Sequence, residues 1–241
     1  MTAPRWLAGL AVAALAGACA GGTPLGWDGV VDVTVGWPEP EPGGAIRTID
    51  VAAVSDRRDF RPVAHALRTP SLRTADDPRG RARAVGRRQG TRGGNLWLAE
   101  GQTVGSLAAE VTARALARAG VRPVRRDRTA APTPDDGVAE VEIEVLAFWT
   151  WVRAIELAPD RVESEIVLRV RTPGGPLAGG ALVCGQSQRS TPTPSALVWS
   201  ATLQAALDDL GRDLDRLLSA PDRPAPTWRC RMPESVQALF R

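Results

Sequence analysis

The strongest constraint on the fold is a period-two run that starts at Glu140. Val141, Ile143 and Val145 alternate with Glu140, Glu142 and Glu144. In an extended segment these side chains fall on opposite faces, one buried and one wetted. The run continues to Trp151. A second alternation over 162–171 turns Ile166, Leu168 and Val170 inward, and a third strand within 177–189 carries Cys184. The connections, around Ala158-Pro159-Asp160 and Pro173-Gly174-Gly175, are too short for a crossover helix, so an antiparallel meander is expected. In the same register Trp149 and Trp151 share a face with Val145 and are expected in the core. Were that end of the sheet exposed, the two indoles would offer an apolar contact to lipid or a partner.

Two helices can cover such a sheet. Thr103 is a good N-cap, Val104, Leu107, Ala108, Val111, Ala115 and Leu116 recur at helical spacing, and Gly120 stands where a C-cap glycine belongs. This spacing predicts a helix over 103–119. A second stripe, Trp199, Leu203, Ala206, Leu207, Leu210, Leu214, Leu217 and Leu218, predicts a helix over 195–218. Upstream, IRTIDVAAV at 46–54 is a core strand and VVDVTV at 30–35 a shorter one, separated by the Pro-rich 37–44. The expected fold class is α/β (α+β): a single small sheet, mainly an antiparallel meander, with both helices packed on one face. It occupies 46–220, followed by a Pro-rich tail at 221–241.

The first nineteen residues carry a different message. Arg5 precedes an apolar run at 6–16, then Ala16-Gly17-Ala18, then Cys19. That is the order of a secretory signal over 1–18. The run would make roughly 16 Å of helix, too short for a bilayer that needs about 20 residues. Leu15-Ala16-Gly17-Ala18-Cys19 resembles a bacterial lipobox, with Ala16 where leucine is usual and with Cys19 as the acylated first residue of the mature chain. Ala16-Gly17-Ala18 is also an ordinary A-x-A cleavage site, and either route exports the protein. Residues 19–45 then form the lipidated N-terminus, a Gly-rich tether and the Pro-rich loop. With Cys19 acylated, Cys184 and Cys230 remain as an even pair in an oxidising compartment, a candidate disulfide contributing about 4 kcal/mol on the chain-entropy account. Two free thiols are the alternative.

Charge is concentrated in one segment. Residues 57–92 hold eleven arginines against Asp59, Asp76 and Asp77, although the whole chain is only +3. With no apolar period, 57–94 is expected to be a long basic loop. Arg57, Arg58, Arg87, Arg88 and Arg92 are its candidate anion contacts, because guanidinium groups bind phosphate and carboxylate bidentately. Beside a membrane the anions would be phospholipid or lipopolysaccharide head groups, or an acidic partner protein. A solvated charged loop is the plain alternative. An exported chain does not meet nucleic acid.

Catalytic machinery is sparse. His65 is the only histidine; Asp56 and Asp59 are near it in sequence, but no nucleophile turn of the G-x-S-x-G kind accompanies them. All 30 basic residues are arginine, which removes Schiff-base and Walker-type lysines. One histidine and three scattered cysteines supply no metal-ligand cluster. The expectation is a non-enzyme without metal or other cofactor.

Several pieces taken together resemble the YajG-like lipoproteins, a group of small bacterial envelope proteins. They are the strand ending Val54-Ser55-Asp56-Arg57-Arg58, Ala84-Val85-Gly86-Arg87-Arg88-Gln89-Gly90, and Leu98-Ala99-Glu100-Gly101-Gln102-Thr103-Val104 leading into the first helix. The helix end Ala119-Gly120-Val121, the glutamate-alternating strand and the closing amphipathic helix complete the resemblance over roughly 46–218. The resemblance implies a small α/β domain at the periplasmic face of a membrane, with a largely undefined role. Ala20, in place of the aspartate that retains enteric lipoproteins in the inner membrane, implies the outer membrane. Two roles fit: a non-catalytic accessory or binding module with an envelope protein as partner, or an auxiliary lipoprotein subunit of a lipid or lipopolysaccharide transport machine.

Overall fold

The computed structural model describes residues 29–35, 47–58, 60, 78–87, 94–124, 139–153, 158–173 and 177–219. Its elements are β1 (Gly29–Val31), β2 (Arg47–Asp56), α1 (Pro78–Arg83), β3 (Ala84–Arg87), β4 (Asn95–Leu98) and α2 (Val104–Arg118). Then follow β5 (Val121–Val124), β6 (Ala139–Arg153), β7 (Asp160–Arg171), β8 (Ala181–Thr191) and α3 (Ala196–Ser219). Cys19, His65, Arg88, Arg92 and Cys230 lie outside the described residues.

All eight strands belong to one sheet, and the fold is α+β. The expected meander is present: β6 pairs antiparallel with β7 from Glu142↔Arg171 to Arg153↔Arg161, and β7 with β8 from Asp160↔Thr191 to Val170↔Ala181. The antiparallel meander supplies most of the pairing, as expected, and the sheet as a whole is mixed because parallel strands are added to it. Along its other margin β6 runs parallel to β2 between Ile49↔Ala139 and Asp56↔Val145, and parallel to β3 at Gly86↔Thr150. β5 adds parallel to β2, β4 antiparallel to β3, and β1 parallel to β4. Parallel neighbours are joined by long crossovers, so local spacing in the sequence cannot announce them.

The Arg-rich stretch is also more ordered than a single loop, since α1 and β3 lie inside it and β4 follows directly. Elements of four to six residues offer too few positions for a hydrophobic period to show.

Both long helices bury their apolar stripes on the same face of the sheet. Leu107, Val111 and Leu116 of α2 and Trp199, Leu203, Leu207, Leu210 and Leu214 of α3 join Val141, Ile143, Val145, Phe148, Ile166 and Leu168 in one core. Thr103 caps α2 in a reciprocal box: its hydroxyl accepts from the Ser106 N–H at 3.0 Å while Ser106 Oγ accepts from the Thr103 N–H at 3.0 Å. Gly120, at φ +80°, follows the last turn.

The flanks of α3 serve the sheet margins. On one side Ser200 Oγ and Gln204 Oε1 accept from the main-chain N–H groups of Asp32 and Thr34, in the segment continuing β1. On the other, Asp213 and Asp209 accept from the N–H groups of Cys184 and Gln186 on β8, each at 3.1 Å. One helix therefore satisfies strand-edge donors at both ends of the row β1-β4-β3-β6-β7-β8. Free donors of this kind would otherwise template pairing with another chain. Close approach requires glycine at Gly185, where a Cβ would stand 1.9 Å from the Ala206 carbonyl oxygen and 2.7 Å from the Leu210 nitrogen.

Candidate functional site

The side of the sheet turned away from α2 and α3 is shaped by a bulge in β6. Val145 pairs with Leu168 and Ala147 with Val167, which leaves one extra residue, Leu146, in β6. A single extra residue reverses the alternation. Before it, Val141, Ile143 and Val145 face the helices; after it, Phe148 and Val152 do. Trp149 consequently points to the opposite face, where it packs with Ala84, Leu146, Ala147, Val167 and Cys184. Phe60, Trp97, Trp151 and Leu182 are half-buried around this second cluster. The expectation that Trp149 and Trp151 share a face with Val145 is thus corrected. Period-two counting fails because nothing in Val145-Leu146-Ala147 marks the bulge.

Arg58 lies at the edge of this cluster with its side chain fully buried. All five of its N–H donors are used. Nε and Nη2 grip the two carboxylate oxygens of Asp56 at 2.9 and 2.7 Å. Nη2 also donates to the Arg81 carbonyl at 2.6 Å, and Nη1 donates to the Ala84 carbonyl at 2.5 Å and more weakly to that of Phe148 at 3.4 Å. The guanidinium packs against both Phe60 and Trp149, with ring centres 4.9 and 4.7 Å away, and the two rings meet each other edge to face at 5.4 Å.

Its place explains its role. β6 is paired with β2 up to Val145 and with β3 from Thr150. At the junction of β2, β3 and β6, main-chain carbonyls would be buried without a strand partner, at a cost of about 1–3 kcal/mol each. The Arg58 fork supplies their donors. Arg58 is therefore a structural clamp with no donor left for an outside phosphate, which corrects its assignment as an anion contact.

The other expected anion contacts divide. Arg57 is exposed, and its main-chain N–H continues the β2–β6 ladder to the Val145 carbonyl at 2.9 Å. Arg87 closes β3 opposite Asn95. Arg88 and Arg92 lie outside the described residues, as does Cys19. Of the candidate disulfide pair, Cys184 sits on β8, 5% exposed and turned to the Trp149 face, while Cys230 is not among the described residues.

Several members of this face were missed from the sequence. Asp56, Arg58 and Phe60 fall at i, i+2 and i+4, a period-two signal that could have placed them together. Trp97 and Arg81, whose guanidinium lies 5.3 Å above the Phe60 ring, carry no such signal. Glu163 and Glu165 stand opposite Trp151 and Trp149 in the ladder and so share their face. Farther along, Glu144 pairs with Arg169 at 2.7 Å and Glu142 with Arg171 at 3.3 Å.

Between β8 and α3 lies a small open cavity of about 200 Å³ lined by Cys184, Gln186, Asp209, Asp213 and Arg216. Its two aspartates are already engaged by main-chain donors. Among the described residues no group of three or more His, Cys, Asp or Glu side chains could hold a metal ion, and no helix is long and apolar enough to cross a membrane. The chemistry of this side of the sheet is that of an aromatic face with an arginine clamp at its edge.

No family model matches the chain, and no curated protein does. Among solved structures it is similar to protein XCC0632 from Xanthomonas campestris, associated with the family model DUF330. That match has a TM-score of 0.41 and 11% identity, and covers 79% of this chain and 95% of that one. It is also similar to an uncharacterised protein (TM-score 0.37, 8% identity, 80% and 98% covered). A third is the hypothetical protein CT253 from Chlamydia trachomatis (TM-score 0.34, 10% identity, 72% and 99% covered). At these scores and identities the similarities transfer no function.

Proposed function

We propose that the protein is an exported, lipid-anchored, non-catalytic accessory module of the bacterial envelope, a member of the YajG-like lipoproteins acting at the periplasmic face of the outer membrane. The observation that carries the reading is how the N-terminal pattern meets the fold. The first described strand begins at Gly29, ten residues after Cys19. Ten residues span at most about 36 Å even when fully extended. An acylated Cys19 would hold the sheet, entered through its β1 margin, close to the bilayer surface. Envelope partners would then meet the domain within that distance of the membrane. In an oxidising compartment Cys184 and Cys230 would close as a disulfide, two electrons and two protons passing to a disulfide oxidant there.

The test is native mass spectrometry of the full-length protein released gently from its own envelope, alongside Cys19→Ala. The expected result is the mass of 19–241 plus acyl chains, with the Cys19→Ala variant shifted to the soluble fraction. An unacylated wild-type chain recovered from the soluble periplasm would overturn the anchor. The transport reading has its own support in exposed Arg57 and in Arg87 leading into Arg88 and Arg92. It predicts binding to phosphatidylglycerol vesicles that Arg87→Glu with Arg88→Glu abolishes; a variant that binds equally well removes it.

A further inference from the structure

The guard that α3 sets along the outer edge of β8 covers only part of it. Asp213 and Asp209 accept from the Cys184 and Gln186 N–H groups, so the even-numbered N–H groups of β8 point away from β7. The β7–β8 ladder is regular from Asp160↔Thr191 to Val170↔Ala181, and the N–H groups of Gln188 and Ser190 therefore lie on the same outer edge. Earlier along that flank of α3 stand Ala205, Thr202 and Val198. Alanine and valine have no side-chain acceptor, and the hydroxyl of fully buried Thr202 is given to the Val198 carbonyl at 2.6 Å. Beyond Gln186 the helix no longer caps the edge.

Among the described residues nothing else blunts it. Strand edges are ordinarily protected by a proline, a bulge or a covering loop. Residues 186–190 include no proline and no break in the ladder. Gln186, Gln188, Arg189 and Ser190 are all exposed, so no loop lies over them. We propose that this outer stretch of β8, Gln188 to Ser190, is a strand-addition site for one extended segment of a partner protein, which pairs antiparallel with it and carries a lysine or arginine into the cavity beside Asp209.

Two observations fix the kind of occupant. The first is the room above the edge. A Cβ on Gly185 would stand 1.9 Å from the Ala206 carbonyl oxygen, so α3 lies directly over β8. A second copy paired edge to edge about a two-fold axis would bring its own α3 over the neighbouring strand. The two helices would then lie about 5 Å apart, the spacing of adjacent strands, where packed helices need about 8–10 Å. A lone extended segment brings no helix and fits beside Ala205 and Val198.

The second is charge. The cavity of about 200 Å³ next along the edge is lined by Cys184, Gln186, Asp209, Asp213 and Arg216, two carboxylates against one guanidinium. The Asp209 side chain is 34% exposed; besides the Gln186 N–H it meets Arg212 at 3.3 Å, which leaves lone pairs for a further cation. A segment paired antiparallel with Ser190 and then Gln188 runs towards Gln186, so its C-terminal end reaches this carboxylate.

The inference stands apart from the lipid anchor, since binding is read in solution on the full chain carrying Cys19→Ala. The probes are two blocked peptides of alternating valine and threonine, one with lysine and one with glutamate as the last, amidated residue. Each is titrated against the amide NMR spectrum of the protein. The lysine peptide should shift the Gln188, Arg189 and Ser190 amides saturably, and bind at least about ten-fold more tightly than the glutamate peptide. Gln188→Pro removes an outward N–H while sparing the ladder to β7, and should abolish the shifts. Should that variant unfold, the lysine peptide N-methylated along its pairing edge decides on the unmutated strand, where it is expected not to bind. The proposal is overturned by the absence of any saturable shift, by shifts centred elsewhere, by equal affinity for the two peptides, or by undiminished binding of the N-methylated one.

Discussion

Replacing Arg58 by methionine removes the clamp at the junction of β2, β3 and β6 while keeping a long apolar stem against Phe60 and Trp149. Five hydrogen bonds disappear, three of them to main-chain carbonyls and two to Asp56. Removing one partner of a buried ion pair costs about 3–5 kcal/mol. The Asp56 side chain is 31% exposed, so water can take over part of its solvation, which puts the expected loss near the lower limit, about 3 kcal/mol. For a domain of this size each kcal/mol moves the midpoint by about 2–4 °C, so Tm should fall by about 6–12 °C. The assay is urea unfolding followed by circular dichroism, reading Cm at unchanged m, with a thermal scan beside it. Arg58→Lys should fall between the two, because an ammonium has three donors and no planar fork. A loss below about 1 kcal/mol for Arg58→Met would place the pair with ordinary surface salt bridges and refute the claim that the guanidinium replaces a missing strand partner.

Two further perturbations probe how α3 closes on the sheet. Gly185→Val should destabilise by at least about 1–3 kcal/mol, since its Cβ meets helix backbone at Ala206 and Leu210 rather than a movable side chain; calorimetry showing an unchanged midpoint would contradict the close approach. Asp213→Ala with Asp209→Ala should cost about 1–3 kcal/mol in total by stripping the β8 donors at Cys184 and Gln186 of their acceptors. The uncovered edge should also raise aggregation. Light scattering during refolding reads that second effect, and a variant as soluble and as stable as the parent would show that the edge needs no such cover.

Much was legible in the sequence because it is local. The capped helix beginning after Thr103, the long stripe of α3 and the three-strand meander each announce themselves within a dozen residues, as hydrophobic period and turn chemistry do. The N-terminal pattern around Cys19 is likewise a matter of residue order alone.

The parts that only tertiary structure decided are the non-local ones. The parallel pairing of β2 with β6 joins residues some 90 positions apart, a distance over which no spacing rule operates. The bulge at Leu146 moves Trp149 and Trp151 to the other face by a single residue of register, and both registers leave the same alternation in the sequence. Arg58 looks like its ten arginine neighbours in 57–92 until the fold surrounds it. Three carbonyls from Arg81, Ala84 and Phe148 and the rings of Phe60 and Trp149 converge there, and they turn one charge of a basic segment into a buried structural fork. Charge and composition are properties of the chain, whereas burial is a property of what the rest of the chain brings to a position.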